Sequence, residues 1–226
     1  MCVWPKAAAV NFPHPPPSAL TAIDVLIGID PGFARILDQA GPLPWRTRPQ
    51  GFPGLLQAIV AQLISNQAAA AIWNRLAAIP GALNPATLLA LPDDMLRGAG
   101  LSRPKVVHAR ALATAFLDGT LDAGRLALLD DEAAIVTIGS VKGLGRWTAE
   151  IYLLFALERL DVFPSGDIAL AGALADLRGF SPRPDPKALR ALALSWQPVR
   201  SLAARLLWHH WRHITGRPAM DDIGPV

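Results

Sequence analysis

The chain has 226 residues, 52% of them hydrophobic and 17% charged, with a formal net charge of +3 and an isoelectric point near 9.5. That size suits one domain or two closely packed subdomains and allows a substantial core, and no apolar run approaches the roughly 18 residues needed to span a bilayer. The single cysteine, Cys2, excludes an internal disulfide, a cysteine-based zinc site and a cysteine-ligated iron–sulfur cluster, while the mild positive charge is compatible with an anionic partner without identifying one.

In chain order, residues 1–20, MCVWPKAAAVNFPHPPPSAL, carry no basic segment followed by an apolar one, so no secretion signal is expected. Their prolines predict an extended or disordered lead, with the helical domain over 21–226. Asp30-Pro31 opens DPGFARILDQAG, closed by Gly41. GFPGLLQAIVAQLISNQAAAAIWNRLAAI reads as one or two long buried helices, reset near Ser65 and Asn66. Asn84-Pro85, Pro92 and Ser102 start three further helices, since cap residues and proline at the first helical position precede apolar runs of helical spacing. DEAAIVTIGSV, the turn KGLG and RWTAEIYLLFALERL predict two helices joined by a hairpin at about 133–157. Asp167 opens IALAGALADLRGF, Asp185-Pro186 opens KALRALALSW, and PVRSLAARLLWHHWRHITG ends at Gly216. There is no convincing alternating strand, so the expected fold is all-α, with about ten helices.

The hairpin carries the first functional signal. A helix start exposes unpaired N–H groups and the positive end of the helix dipole, so it can receive a phosphate. Gly143 and Gly145, without Cβ atoms, would let a sugar-phosphate strand approach closely; the same glycines also serve an ordinary helix-helix turn. Asp167 after the Pro164-Ser165-Gly166 loop is a helix cap by position, and also a lone carboxylate rigidly aimed. Arg146 lies beside the turn, and Arg200, Arg205, Arg212 and Arg217 punctuate the last helix, which by charge alone reads as a solvated face. His209 and His213 are four apart, but no H-E-x-x-H pattern surrounds them and no metal is expected there. Phe12, Trp45, Trp73 and Trp211 read as core or interface residues, and Glu150 and Asp161 as surface or capping groups.

KGLGRWTA followed by DVFPSGD, with WQPVRSLAARLLWHHW, GLLQAIVAQLIS and LRGAGLSRPKVVHARALA in the same order, resembles the helix-hairpin-helix DNA glycosylase superfamily, within it the DNA-3-methyladenine glycosylase II branch. The resemblance covers roughly residues 22 to 215. It implies two packed helical subdomains with the active-site cleft between them, and a monofunctional enzyme that flips an alkylated purine out of double-stranded DNA and hydrolyses its N-glycosidic bond in base excision repair. The family's catalytic aspartate falls on Asp167. Its base-pocket aromatics fall on Trp147 and Trp208, residues that on their own also fit core packing. Leu63 becomes a candidate wedge for the gap in the duplex, a residue that on its own equally fits apolar packing, and the N–H groups of Gly143, Gly145 and Thr148 become phosphate contacts.

Carbonyls of Gly139, Val141 and Leu144 are implied to hold a monovalent cation, sodium or potassium, with no cofactor required for the chemistry. Bifunctional relatives place a Schiff-base lysine where this chain has Trp147, so no lyase activity is expected. Gly166 departs from the pattern, standing where an acidic residue often precedes the aspartate. A monomer in the cytoplasm, nucleoid-associated in a bacterium, completes the expectation. A glycosylase for a deaminated or oxidised base, a non-catalytic DNA-binding protein with the same hairpin, and a helical interaction module remain open alternatives.

Overall fold

The computed structural model describes residues 14–216. Phe12, Cys2 and Arg217 therefore lie outside the described residues, as does most of the proline-rich lead. Thirteen α-helices and two 3₁₀ turns make up the described chain, and no strand occurs among these residues. The last residues of the expected extension are folded: α1 runs Pro17–Ile29. Proline in its first turn fixes φ for the helix, and Ala19, Ala22, Ile23 and Leu26 give it one buried face at helical spacing.

Several of the expected starts are visible as side-chain caps. Asp30 accepts from Gly32 N ahead of α2 (Ala34–Ala40). The long apolar stretch is two helices, α3 (Phe52–Ala61) and α4 (Asn66–Ala77), the second capped by Ser65 on Ala68 N. Asn84 caps α5 (Pro85–Ala90), and α6 (Asp93–Gly98) and α7 (Arg103–Leu117) follow. Ser102 makes no side-chain cap bond, so α7 starts on its proline instead. A short helix not expected from sequence, α8 (Ala123–Leu128), is capped by Asp122. The hairpin consists of α9 (Asp131–Gly139), capped by Asp130, and α10 (Arg146–Phe155). The expected continuation of α10 to Leu160 does not form. Then come α11 (Ile168–Arg178), α12 (Pro186–Ala193) and α13 (Arg200–Thr215), the last closed by Gly216 in the left-handed region.

Two hydrophobic cores share these helices. The first gathers α3 to α10, with Leu56, Trp73, Leu112, Ile138 and Leu153 among its buried members. The second gathers α1, α2 and α11 to α13, with Phe33, Leu174, Trp196 and Leu206. Helix α10 belongs to both: Ala149, Tyr152 and Leu153 face the first core, and Ile151, Leu154 and Phe155 the second. From Thr148 to Phe155 every residue of α10 is buried. Burying one large apolar side chain stabilises by about 1.5–3 kcal/mol, so this helix is the rivet between the subdomains. Its start, at the hairpin turn, is thereby fixed with respect to α11.

Candidate active site

The corner where the two cores meet is built by the start of α10 and the start of α11. Asp167 is the N-cap of α11, its Oδ1 accepting from Ala169 N at 2.8 Å and Leu170 N at 3.2 Å. Its Oδ2 accepts from the indole Nε1 of Trp147 at 3.0 Å. Both readings of the aspartate therefore hold together. The cap bonds fix one oxygen, the indole fixes the other, and a carboxylate with its rotamer locked by neutral donors keeps its negative charge aimed in one direction. The preceding loop is tight: Asp167 N donates to Pro164 O at 2.9 Å and Ser165 N to Phe163 O at 2.8 Å. Arg190 of α12 supports it through Nε to the buried Ser165 Oγ at 3.3 Å. Asp167 and Trp147 are both half-buried, and Ile168, next in the chain, is 65% exposed.

The hairpin turn adjoins this corner. Gly145 is the N-cap of α10 and provides no side-chain cap, so the first amides of the helix, Thr148 N among them, are the unpaired donors of a helix start. Gly143 has φ +91°, a conformation that disfavours any side chain. It also lies against His108, whose imidazole would stand 2.1 Å from a Cβ on that glycine. Gly145 has open space around it. Gly139 ends α9, where carbonyls lack a following helical amide, and Leu144 O lies 4.0 Å from where a Cβ on Gly139 would be. The Val141 carbonyl accepts from Leu144 N at 3.0 Å.

Leu63 stands at the tip of the α3–α4 connection, wholly exposed at 104% and with φ +60°. Beside it, Gln62 reaches back to the hairpin, donating Nε2 to Gly143 O at 3.0 Å and to Thr148 Oγ1 at 3.3 Å. An unbroken chain of contacts thus runs from Leu63 through Gln62, Thr148 and Trp147 to Asp167. Trp208 is placed differently from Trp147. It is buried in the second core, its ring 5.6 Å from that of Phe155. Trp73 and Trp45 are buried and Trp211 is partly so, as core residues.

Charged groups depart most from the sequence expectation. Glu150 is not a surface group: it is 5% exposed, because α10 has no solvent face beyond its first turn. Burial pushes its carboxyl up to about 7, although Arg146 opposes the shift. Arg146 Nε bonds Glu150 at 3.0 Å, and its two terminal nitrogens clamp Glu132 at 2.8 and 2.7 Å. Asp161 acts as a capping group, accepting from Arg200 N at 3.3 Å and pairing with the Arg200 guanidinium at 2.7 Å. Arg205 is no solvated surface group either. Its guanidinium is buried between the rings of Trp45, at 4.0 Å, and Phe155, at 4.5 Å, and donates to Arg46 O and Leu154 O. His209 bonds Gly41 O at 3.0 Å, and burial holds its pKa below the ordinary value. No cluster of three metal-ligating side chains occurs among the described residues, and none of their helices is long and apolar enough to cross a membrane.

The partnership of Gln62 with the hairpin and of Arg190 with Ser165 was not legible in the sequence. Gln62 offered one signal, a polar residue closing an apolar helix immediately before a leucine.

Residues 56–198 match the HhH-GPD superfamily of base excision DNA repair proteins. An alkylbase DNA glycosidase-like protein of Schizosaccharomyces pombe is 26% identical over 193 residues, 81% of this chain and 89% of that protein. Among solved structures, the 3-methyladenine DNA glycosylase of S. pombe in complex with abasic DNA superposes with a TM-score of 0.77 at 26% identity, covering 85% of this chain and 95% of that one. The DNA-3-methyladenine glycosidase of Bacillus halodurans does so with a TM-score of 0.74 at 28% identity, covering 89% and 94%.

Proposed function

We infer what the site does from the premise that this chain belongs to the HhH-GPD superfamily of base excision DNA repair proteins: it is a monofunctional DNA glycosylase that removes alkylated purines from double-stranded DNA. The single observation that carries this reading is the Asp167 carboxylate, held at a half-buried corner by two backbone amides and the Trp147 indole. Breaking an N-glycosidic bond leaves positive charge on the deoxyribose, and a prealigned carboxylate stabilises that charge without reorganising. Water supplies the oxygen at the sugar carbon, and the base leaves with the bonding electrons. A purine methylated at N3 or N7 is already cationic, so its sugar bond is weakened and its ring suits an aromatic face. Trp147 supplies that face beside the carboxylate, and Trp208, packed on Phe155, is the second aromatic assigned to the base pocket.

Residue 147 carries an indole, which cannot form a Schiff base with the sugar, so the product is an intact strand with an abasic site. The N–H groups of Gly143, Gly145 and Thr148 hold the phosphate backbone at the start of α10. Leu63 fills the gap left by the extruded nucleotide. The carbonyls of Gly139, Val141 and Leu144, hard oxygen donors in one turn, suit a monovalent cation that bridges the turn and the phosphate. On this reading the protein acts as a monomer on double-stranded DNA, in the cytoplasm and on the nucleoid if the cell is bacterial.

The test is base release from duplexes carrying 3-methyladenine or N7-methylguanine, hypoxanthine, or an oxidised guanine, with analysis of the strand. Release of the methylated purines and an uncleaved abasic strand is expected. Release confined to the deaminated or oxidised base would reassign the lesion, and no release from any duplex would sink the enzymatic reading.

A further inference from the structure

We propose that Gln62 is a positioning residue that makes the wedge and the phosphate grip one mechanical unit, so that strand engagement at the hairpin sets Leu63 for extrusion of the target nucleotide. The inference rests on the glycosylase reading above and concerns a residue whose side-chain amide is committed to the hairpin. Leu63 is wholly exposed and sits in the left-handed backbone region, which a leucine adopts only where its surroundings impose it. No side chain packs around a fully exposed leucine to impose anything, so the restraint has to come through the backbone on either side. After it, Ser65 is fixed as the cap of α4. Before it, Gln62 is fixed by two hydrogen bonds that cross to the hairpin, to Gly143 O and Thr148 Oγ1.

Helix α7 reinforces both partners from below. The buried Lys105 donates Nζ to Val60 O at 2.7 Å, holding the end of α3 where helical carbonyls lack amide partners. One turn later His108 lies against Gly143. Lys105 is a buried cation satisfied by a carbonyl, and desolvation lowers its pKa. Its place one turn from His108 means that a single helix face braces the wedge loop and the grip together. The two acceptors of Gln62 also matter individually. Gly143 belongs to the turn that meets the phosphate, and Thr148 follows Trp147, whose indole holds Asp167. Moving the wedge loop without moving the turn requires breaking both bonds.

The experiment uses the full chain and duplexes carrying N7-methylguanine opposite either cytosine or a mismatched thymine. A parallel set carries 2-aminopurine beside the target position, so extrusion is read by fluorescence whether or not a base is released. Extrusion costs least for a mispaired base, so a defect in extrusion is relieved by the mismatch and a general loss of folding is not. Gln62→Leu keeps the volume and removes the donor. It is expected to lower both the extrusion signal and release from the paired duplex about tenfold, the worth of one to two hydrogen bonds, with the mismatch restoring most of the loss. Thr148→Val, which removes one acceptor, is expected to lower them about threefold, on the weaker end of the same range. In combination with Leu63→Ala, Gln62→Leu should add no further loss, because it acts through that side chain. Equal losses on paired and mispaired duplexes, or losses that multiply in the double variant, would overturn the proposal. A wild-type extrusion signal in Leu63→Ala would overturn it as well, by removing the wedge. Extrusion that behaves as expected in a chain that releases no base would uphold the coupling and reject the glycosylase reading instead.

Discussion

Two carboxylates flank the first turns of α10, and their surroundings have opposite chemistry. Asp167 meets neutral donors at a half-buried corner, two amides and an indole. Glu150, three residues beyond Trp147, is buried, and Arg146 shares its charge between Glu150 and Glu132. A carboxylate held by neutral donors keeps its field for an incoming positive charge. One that is desolvated and neutralised by an arginine has little field left, and burial raises its carboxyl to about 7. Both carboxylates are near the hairpin, and only their partners distinguish the proposed catalytic carboxylate from the structural one.

The largest effect is expected for Asp167→Asn, which removes the charge and, with its oxygen kept on the Ala169 and Leu170 amides, turns an amide donor toward the Trp147 indole. Base release should fall by about 10³-fold, on the scale of losing a prealigned electrostatic stabiliser, while duplex binding survives. Glu150→Gln should change release far less. A loss for Glu150→Gln equal to that of Asp167→Asn would break the comparison.

The turn beneath both carboxylates gives the next effect. Gly143→Ala drives a Cβ into His108 and forces alanine to φ +91°, costing on the order of 3 kcal/mol in denaturant unfolding. Gly145→Ala meets open space and should leave unfolding within about 0.5 kcal/mol while weakening salt-sensitive DNA binding by crowding the phosphate. Equal unfolding costs for the two would remove the distinction between a packed glycine and a contact glycine.

Glu150 itself sets a pH-dependent effect. Its carboxyl titrates near 7 in the folded chain and at the ordinary value of 4.5 when unfolded, so the native state holds a proton there that the unfolded state has lost. Stability therefore falls as pH rises from about 4.5 to 7, and the full cost is present above 7. Glu150→Gln removes this dependence and should be more stable than wild type at pH 8 by on the order of 2 kcal/mol, with little difference at pH 4. Unfolding measured at the two pH values checks it, and an equal difference at both would show that Glu150 does not titrate in this range. A smaller effect than that of Asp167→Asn is expected for Trp147→Phe, which keeps an aromatic face and removes the bond to Asp167 Oδ2. Release should slow about tenfold, the worth of a hydrogen bond to a charged acceptor, with little change in substrate affinity. A rate equal to wild type would mean that the two helix-cap bonds alone orient the carboxylate.

Residues 133–157 and 167 show how much of the site local pattern could reveal. Capping aspartates at 130, 167 and 185 each end on the amides that their positions predicted, because a cap is decided within four residues. The reset between α3 and α4 at Ser65 follows the same logic. By contrast, α1 was not read as a helix, its first turn falling in the proline-rich lead, since its buried face depends on α13 and the second core. Glu150 and Arg205 were read as surface groups because their charge suggested solvent. Their burial follows from a helix enclosed by two cores and from aromatic rings contributed by α10 and the segment after α2.

The sequence by itself determined an all-helical chain, the hairpin, its glycines, and the aspartate that starts α11, because each of these is settled by neighbours within a turn or two. Tertiary structure alone decided which carboxylate stays available, which arginines are already spent, and that Gln62 ties an exposed leucine to the hairpin turn. Those outcomes depend on desolvation and on partners 81 or more residues apart for the Gln62 contacts, and neither quantity exists until two cores close on the same helix.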